Sequence, residues 1–251
     1  MPHGCKAMIG PSVLDCDKAD LAREAQRTLD AGADYIHLDV MDGNYVPAIS
    51  FGPAVIANLR THFPDVLFVA HFMVTTPETQ VDALAAANAV DAATGRSLTM
   101  FTFHIEATEP RGLTQSVIDQ VKAAGMLVGI SLNPATSIDT VIPYVDQLDA
   151  VLVMTVVPGK GGQSFMVDQM AKVRAVRERY PNMHIEVDGG LKPATIDEAA
   201  KAGANMIVSG SGVFKAKDMA ESISTMKRSV ELHGNGKTED QLSPLRHDAS
   251  L

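Results

Sequence analysis

An α/β chain forming a single (β/α)8 TIM barrel is predicted by three observations. Short apolar runs alternate with stretches of helical period eight times along the chain. One run, residues 150–155, is apolar almost throughout, as a parallel strand covered on both faces requires. The length of 251 residues matches one such barrel. The barrel is assigned to residues 1–232, and the polar stretch 233–251, low in apolar periodicity, is expected to be a disordered tail.

Residues 6–14 read as a short first strand ending at Pro11-Ser12. Asp17 is a candidate N-cap for a helix with Leu21, Ala25 and Leu29 at helical spacing, closed by Ala31-Gly32-Ala33-Asp34. The second strand starts at Tyr35. Helices over residues 53–61 and 77–89 flank a strand over 66–74, and a strand over 98–105 precedes a helix over 113–124. Next come a strand over 126–132, a short helix over 138–144 after Asn133-Pro134, and the strand over 150–155. Helices over 168–180, 194–202 and 218–228 are separated by strands over 184–187 and 206–209. Ala202-Gly203-Ala204-Asn205 echoes residues 31–34, and residues 91–97, with a turn at Thr94-Gly95, read as a surface insertion.

Composition removes several function classes. A net charge of −9 argues against tracking a nucleic acid backbone or lying on an anionic membrane, so an anionic ligand must be held by local groups. The two cysteines, Cys5 and Cys16, are too few for a disulfide framework and are read as free thiols. With no apolar segment of signal-peptide or membrane-spanning length, a cytosolic protein is expected.

The stretch Y-I-H-L-D-V-M alternates: Ile36, Leu38 and Val40 share one face, and His37, Asp39 and Met41 share the other. A buried His–Asp hydrogen bond is one reading of that polar face, and convergence on one ion or substrate is another. His71 near the end of the third strand and Asp188 at the end of the seventh join them where barrels of this type keep their chemistry. Two imidazoles and two carboxylates suit one divalent transition metal ion: Zn²⁺, Fe²⁺, Mn²⁺ or Co²⁺. Three glycine-rich loops follow the last three strands, with Gly159, Lys160, Gly161 and Gly162, then Gly189 and Gly190, then Gly210 and Ser211. Any one of these loops reads as an ordinary glycine turn, but three with bare amides at one rim, and a short helix starting near Val213, are expected to form a phosphate cradle. His104 and Glu106 face the mouth from strand four, as packing or as support for the ligands.

The blocks G-P-S-V-L at 10–14, H-L-D-V-M-D-G at 37–43, H-F-M-V at 71–74, T-F-H-I-E-A at 102–107, V-L-V-M-T-V at 151–156, E-V-D-G-G-L at 186–191 and N-M-I-V-S-G-S at 205–211 resemble ribulose-phosphate 3-epimerases. The resemblance implies a barrel of the ribulose-phosphate-binding type. It implies a metal-dependent enzyme of the pentose phosphate pathway that interconverts D-ribulose 5-phosphate and D-xylulose 5-phosphate through a cis-enediolate. His37, Asp39, His71 and Asp188 would hold the metal, with Asp39 as proton acceptor and Asp188 as donor. Ser12 and His71 would contact the sugar, the three glycine loops would hold its phosphate, and Met41, Met73 and Met154 would line the pocket, a role that plain core packing matches equally well. A homo-oligomer without nucleic acid or membrane partners is expected. The chain departs from the family at Val69, where an aspartate is usual, at Lys160, where phenylalanine is common, at Ala48, where asparagine is usual, and in the insertion at 91–97. A six-carbon ketose phosphate as substrate, another chemistry on a phosphate-binding barrel, and a sugar-phosphate sensor remain open at this level.

Overall fold

The computed structural model describes residues 4–234. The tail expected from residue 233 onward lies outside these apart from His233 and Gly234, which end the last helix. Eight parallel strands form the sheet: β1 Met8–Pro11, β2 Tyr35–Met41, β3 Leu67–Met73, β4 Thr99–His104, β5 Leu127–Leu132, β6 Ala150–Met154, β7 His184–Asp188 and β8 Met206–Ser209. They pair in the order β1-β8-β7-β6-β5-β4-β3-β2. The seam between β1 and β2 is closed by a parallel bridge between Ser12 and His37. Helices α1 Leu21–Asp30, α2 Pro53–His62, α3 Val81–Ala85, α4 Ile105–Thr108, α5 Thr114–Ala123, α6 Met170–Arg179, α7 Ile196–Ala202, α8 Ser211–Phe214 and α9 Met219–His233 lie between and after the strands.

The echo between residues 31–34 and 202–205 has a structural meaning. Gly32 and Gly203 both take positive φ, 97° and 103°, to end their helices. The polar residue two positions later then accepts a strand amide: Asp34 Oδ2 from Ile9 N at 2.9 Å, and Asn205 Oδ1 from Ile185 N at 2.9 Å. Asp34 also donates its own amide to Ile9 O at 2.9 Å, so its side chain and backbone together stitch the seam. These buried amides would otherwise be left without partners.

Side chains alternate across each strand, and the two faces have different tasks. Ile36, Leu38 and Val40 join Phe68, Phe72, Phe101 and Phe103 in the core between barrel and helices. Inside, an apolar floor is built from Tyr35, Leu67, Val69, Met100, Leu127, Ala150 and Met206. Gly10 of β1 makes room for the Tyr35 ring, since a Cβ there would overlap it. Above the floor the interior turns polar, with His37, His71, Thr102, His104, Ser131 and Glu186 all buried. The mouth carries Met41, Met73 and Met154.

Several element bounds differ from expectation for local reasons. The first strand stops at Pro11, because Ser12 Oγ accepts Leu14 N at 3.2 Å and turns the chain into the 3-10 helix Val13–Asp15. Asp17 caps a second 3-10 turn, Lys18–Asp20, ahead of α1. The alanine-rich helix ends at Ala85, where the amides of Ala87 and Asn88 bond to carbonyls three residues earlier, those of Leu84 at 2.7 Å and Ala85 at 3.0 Å. The segment expected to be helical at 138–144 forms two 3-10 turns, Ile138–Thr140 and Ile142–Gln147. Strand four ends at His104, and Ile105 opens α4, which turns Glu106 toward strand five. The insertion at 91–97 is a tight turn closed by a Val90–Ser97 bridge, with Asp91 Oδ1 accepting the amides of Ala93 and Thr94.

Arg177 of α6 ties the lower rim together. Only 2% exposed, it donates to Pro181 O at 2.9 Å, Met183 O at 2.6 Å, Gly203 O at 2.9 Å and Asn205 Oδ1 at 3.1 Å. Arg177→Ala is expected to cost about 3–5 kcal/mol of stability, by opening a cavity and leaving buried acceptors unpaired. Urea denaturation checks this, and a loss below about 1 kcal/mol would mean that solvent reaches those carbonyls.

Candidate active site

His37 and Asp39 come from β2, His71 from β3 and Asp188 from β7, and all four project to one point above the apolar floor. One donor atom from each lies within 4.8 Å of the others. His71 Nδ1 is 3.2 Å from Asp39 Oδ1 and 3.6 Å from Asp188 Oδ2. His37 Nε2 is 3.4 Å from Asp39 Oδ1, 3.4 Å from His71 Nδ1 and 3.7 Å from Asp188 Oδ2. Bonds of 2.0–2.1 Å at tetrahedral angles place donor atoms roughly 3.3–3.4 Å apart. The cluster therefore fits a small divalent ion with little movement.

Each imidazole is held from behind. His37 Nδ1 lies 3.1 Å from Glu186 Oε1, which also accepts from Tyr35 Oη at 2.8 Å. With Nε2 turned to the common point, Nδ1 carries the proton and donates it to Glu186. His71 Nε2 lies 2.9 Å from His104 Nε2, and His104 Nδ1 lies 3.3 Å from Glu106 Oε2. The same logic runs a chain of donors from His71 through neutral His104 to Glu106. Burial pushes His104 down to about 4. Burial opposes the charge on Glu106, but the hydrogen bonds from His104, Thr136 and the Asn133 amide hold it at about 2.

The two carboxylates are not equivalent. Burial opposes ionisation of Asp39, yet His37 and His71 hold it well below the ordinary carboxylate range. Asp188 is raised, first by burial and then by the Asp39 anion, against the pull of the imidazoles. His37 and His71 both lie above the ordinary histidine range: burial opposes their charge, and the adjacent carboxylates outweigh it. A proton and a metal ion compete for the same imidazole lone pair. Metal uptake is therefore expected to release protons and to tighten as pH rises through the raised imidazole values, which calorimetry in buffers of different ionisation enthalpy would register. Uptake with no proton release would sink this coupling.

Above the cluster, Asp39, Asp188, Ser12, Met41, Met73 and Met154 line one narrow cavity of about 50 Å³ together with Gly159, Lys160, Gly161, Gly162, Gly189, Gly190, Gly210 and Ser211. Ser12 Oγ donates to Asp39 Oδ2 at 2.5 Å. His37 and His71 are fully buried beneath and do not border the cavity. The loop after β7 turns on two positive φ angles, 122° at Gly189 and 71° at Gly190. Its carbonyls are pinned by hydroxyls, Gly189 O by Thr155 and Gly190 O by Thr195. Gln163 Nε2 spans the β6 loop, donating to Val157 O and Lys160 O.

A model of the ribulose-phosphate 3 epimerase family matches residues 8–214. The chain belongs to that family. The ribulose-phosphate 3-epimerase, cytoplasmic isoform, of Oryza sativa subsp. japonica is 47% identical over 234 residues, covering 92% of this chain and 97% of that protein. The ribulose-phosphate 3-epimerase of Schizosaccharomyces pombe is 44% identical over 227 residues, covering 90% and 94%. A crystal structure of KGPDC from Streptococcus mutans superposes with a TM-score of 0.65 at 17% identity, over 90% of this chain and 98% of that one, and shares the fold.

Against the family pattern, Val69 is packed in the apolar floor beneath His71. Ala48 packs beside Met41, Val46 and Met73 at the rim. Among the described residues, Lys160 is the one cation lining the cavity. Sequence reading passed over Glu186, although a signal was present. It sits two residues before Asp188, so the two-residue period that placed Asp188 inside placed Glu186 inside as well. Tyr45, Asn133 and Thr136, which surround Glu106, come from loops and carry no such period.

Proposed function

We propose that this epimerase interconverts D-ribulose 5-phosphate and D-xylulose 5-phosphate by moving a proton at carbon three, with Asp39 as acceptor and Asp188 as donor. The observation that carries the reading is the arrival of two carboxylates from β2 and β7 in one cavity that ends on glycine loops. Inverting a carbon beside a ketone requires removing a proton on one face and returning one to the other, and two carboxylates in one pocket supply both. Asp39, ionised and accepting from Ser12, is prepared as the base. Asp188, whose environment favours its proton, is prepared as the acid. The product of the first transfer is a cis-enediolate. Met41, Met73 and Met154 surround it with polarizable side chains that bring no strong donor and exclude water.

His37, Asp39, His71 and Asp188 would hold one Zn²⁺, Fe²⁺, Mn²⁺ or Co²⁺ ion. When bound, such an ion supplies Lewis-acid stabilisation for the charge that develops on the ketone and hydroxyl oxygens. Glu186 and the His104–Glu106 pair keep the two imidazoles in the tautomers and orientations this requires. The glycines at 159, 161, 162, 189, 190 and 210, with Ser211 and Lys160, would hold the phosphate, and Ser12 would touch the sugar. We assign the protein to the cytosol as a homo-oligomer. A relative is named a cytoplasmic isoform, no described helix is long and apolar enough to cross a membrane, and Ile49, Val157 and Val167 expose apolar surface near the mouth.

Proton NMR with D-ribulose 5-phosphate in D₂O tests the reading. Deuterium should enter carbon three as xylulose 5-phosphate appears, and both should stop on chelation and return with added metal. Metal-loaded protein that produces neither would overturn it.

A further inference from the structure

The phosphate end of the cavity contains a carboxylate that the proton-transfer chemistry does not use. Asp15 ends the 3-10 turn Val13–Asp15 after β1 and lines the cavity beside the glycine loops. Its two oxygens face two different loops. A Cβ built on Gly161 would collide with Asp15 Oδ1, and one built on Gly210 would collide with Oδ2. The carboxylate thus stands between the loop that follows β6 and the loop that follows β8, in the gap both leave by having no side chain. Among the described residues it has no hydrogen-bond donor and no cation as partner. The remaining charges on the cavity wall are Asp39 and Asp188 at the chemical end and Lys160 at the phosphate end.

We propose that Asp15 sets the phosphate affinity of this site: it is an anion standing where a phosphate must approach, and it offsets the attraction of the glycine amides and Lys160. This rests on assigning the glycine loops to the phosphate. Two like charges within a few ångströms repel strongly where water is partly excluded. A small dianion with no other anchor is therefore bound weakly. A ketose phosphate is retained because it also gains contacts at the chemical end. Loop sterics alone do not explain the arrangement, since a glycine facing Gly161 and Gly210 would leave the same gap without the charge.

The test is a ³¹P NMR titration of inorganic phosphate into the full-length protein, comparing wild type with Asp15→Asn and Asp15→Ala. Asp15→Asn keeps the shape and removes the charge. It should bind phosphate roughly tenfold more tightly at low ionic strength, with the advantage shrinking as salt screens the repulsion. KM for D-ribulose 5-phosphate should fall in the same direction. Asp15→Ala should show the same gain, which keeps the test available if the asparagine variant folds poorly. Equal phosphate affinity in all three proteins would overturn the inference. So would a gain confined to Asp15→Ala, which would mark the side chain as a steric plug. If none of the three binds phosphate, the loops are not the phosphate site, and the failure belongs to that assignment.

Discussion

Asp188→Asn is expected to lower the epimerisation rate by roughly 10³- to 10⁴-fold, the range set by losing a positioned proton donor. Its exchange behaviour should be more telling than its rate. In the proposed arrangement Asp39 would still face the carbon-three proton of D-ribulose 5-phosphate, so the variant should exchange that proton with D₂O and return it to the same face without forming xylulose 5-phosphate. Asp39→Asn should show the mirror pattern, with exchange from D-xylulose 5-phosphate and none from D-ribulose 5-phosphate. Both variants must be compared at equal metal content, because each changes one of the four proposed ligands. Near-normal turnover in either, or exchange that ignores which epimer is supplied, would sink the assignment of two bases.

His71→Ala should release the metal ion, with a loss of affinity greater than the roughly 10- to 100-fold that a supporting partner is worth. His104→Leu, which removes the group behind His71 and leaves every ligand in place, should fall within that 10- to 100-fold range. Competition with a chromogenic chelator measures both. The ordering is the test: a larger loss for His104→Leu than for His71→Ala would mean that His71 does not ligate. The physical reason for the ordering is geometric. His71 Nδ1 is one of four donor atoms around the common point, whereas His104 acts only by holding the far nitrogen of the ring.

The barrel was readable from the sequence because a parallel strand buried on both faces leaves an unbroken apolar run, and residues 150–154 are such a run. The four clustered residues were readable for a related reason. Each lies on the inward face of a strand of two-residue period, with Asp39, His71 and Asp188 in the C-terminal half of theirs, where barrel geometry makes neighbours of distant positions. What escaped depended on contacts outside the local pattern. The Ala-rich segment looks helical through residue 89, yet the amides of Ala87 and Asn88 tighten onto Leu84 O and Ala85 O and the helix stops, while Arg60 reaches the Ala87 carbonyl from a different helix. The partners of Glu106 arrive from loops after strands two and five, and their meeting is a product of the tertiary fold. Asp15 carries no signal in the sequence, because its position between Gly161 and Gly210 exists only once the barrel has closed.

Asp188, Gly189 and Gly190 are consecutive, so the carboxylate proposed to handle the proton and two glycines that line the same cavity are joined by covalent bonds alone. Two residues span at most about 7 Å, and this length cannot be altered by repacking a helix or sliding a strand. With the proton and phosphate roles proposed above, the segment would act as a ruler laid along the substrate. It would measure from the carbon that changes configuration to the terminal group and tie recognition of sugar length to the backbone itself. A ketose longer by one carbon would overshoot the mark. Accepting it requires the loops after β6 and β8 to retreat, which makes those loops, and not the carboxylates, the place where substrate length can be changed while the chemistry is left in place.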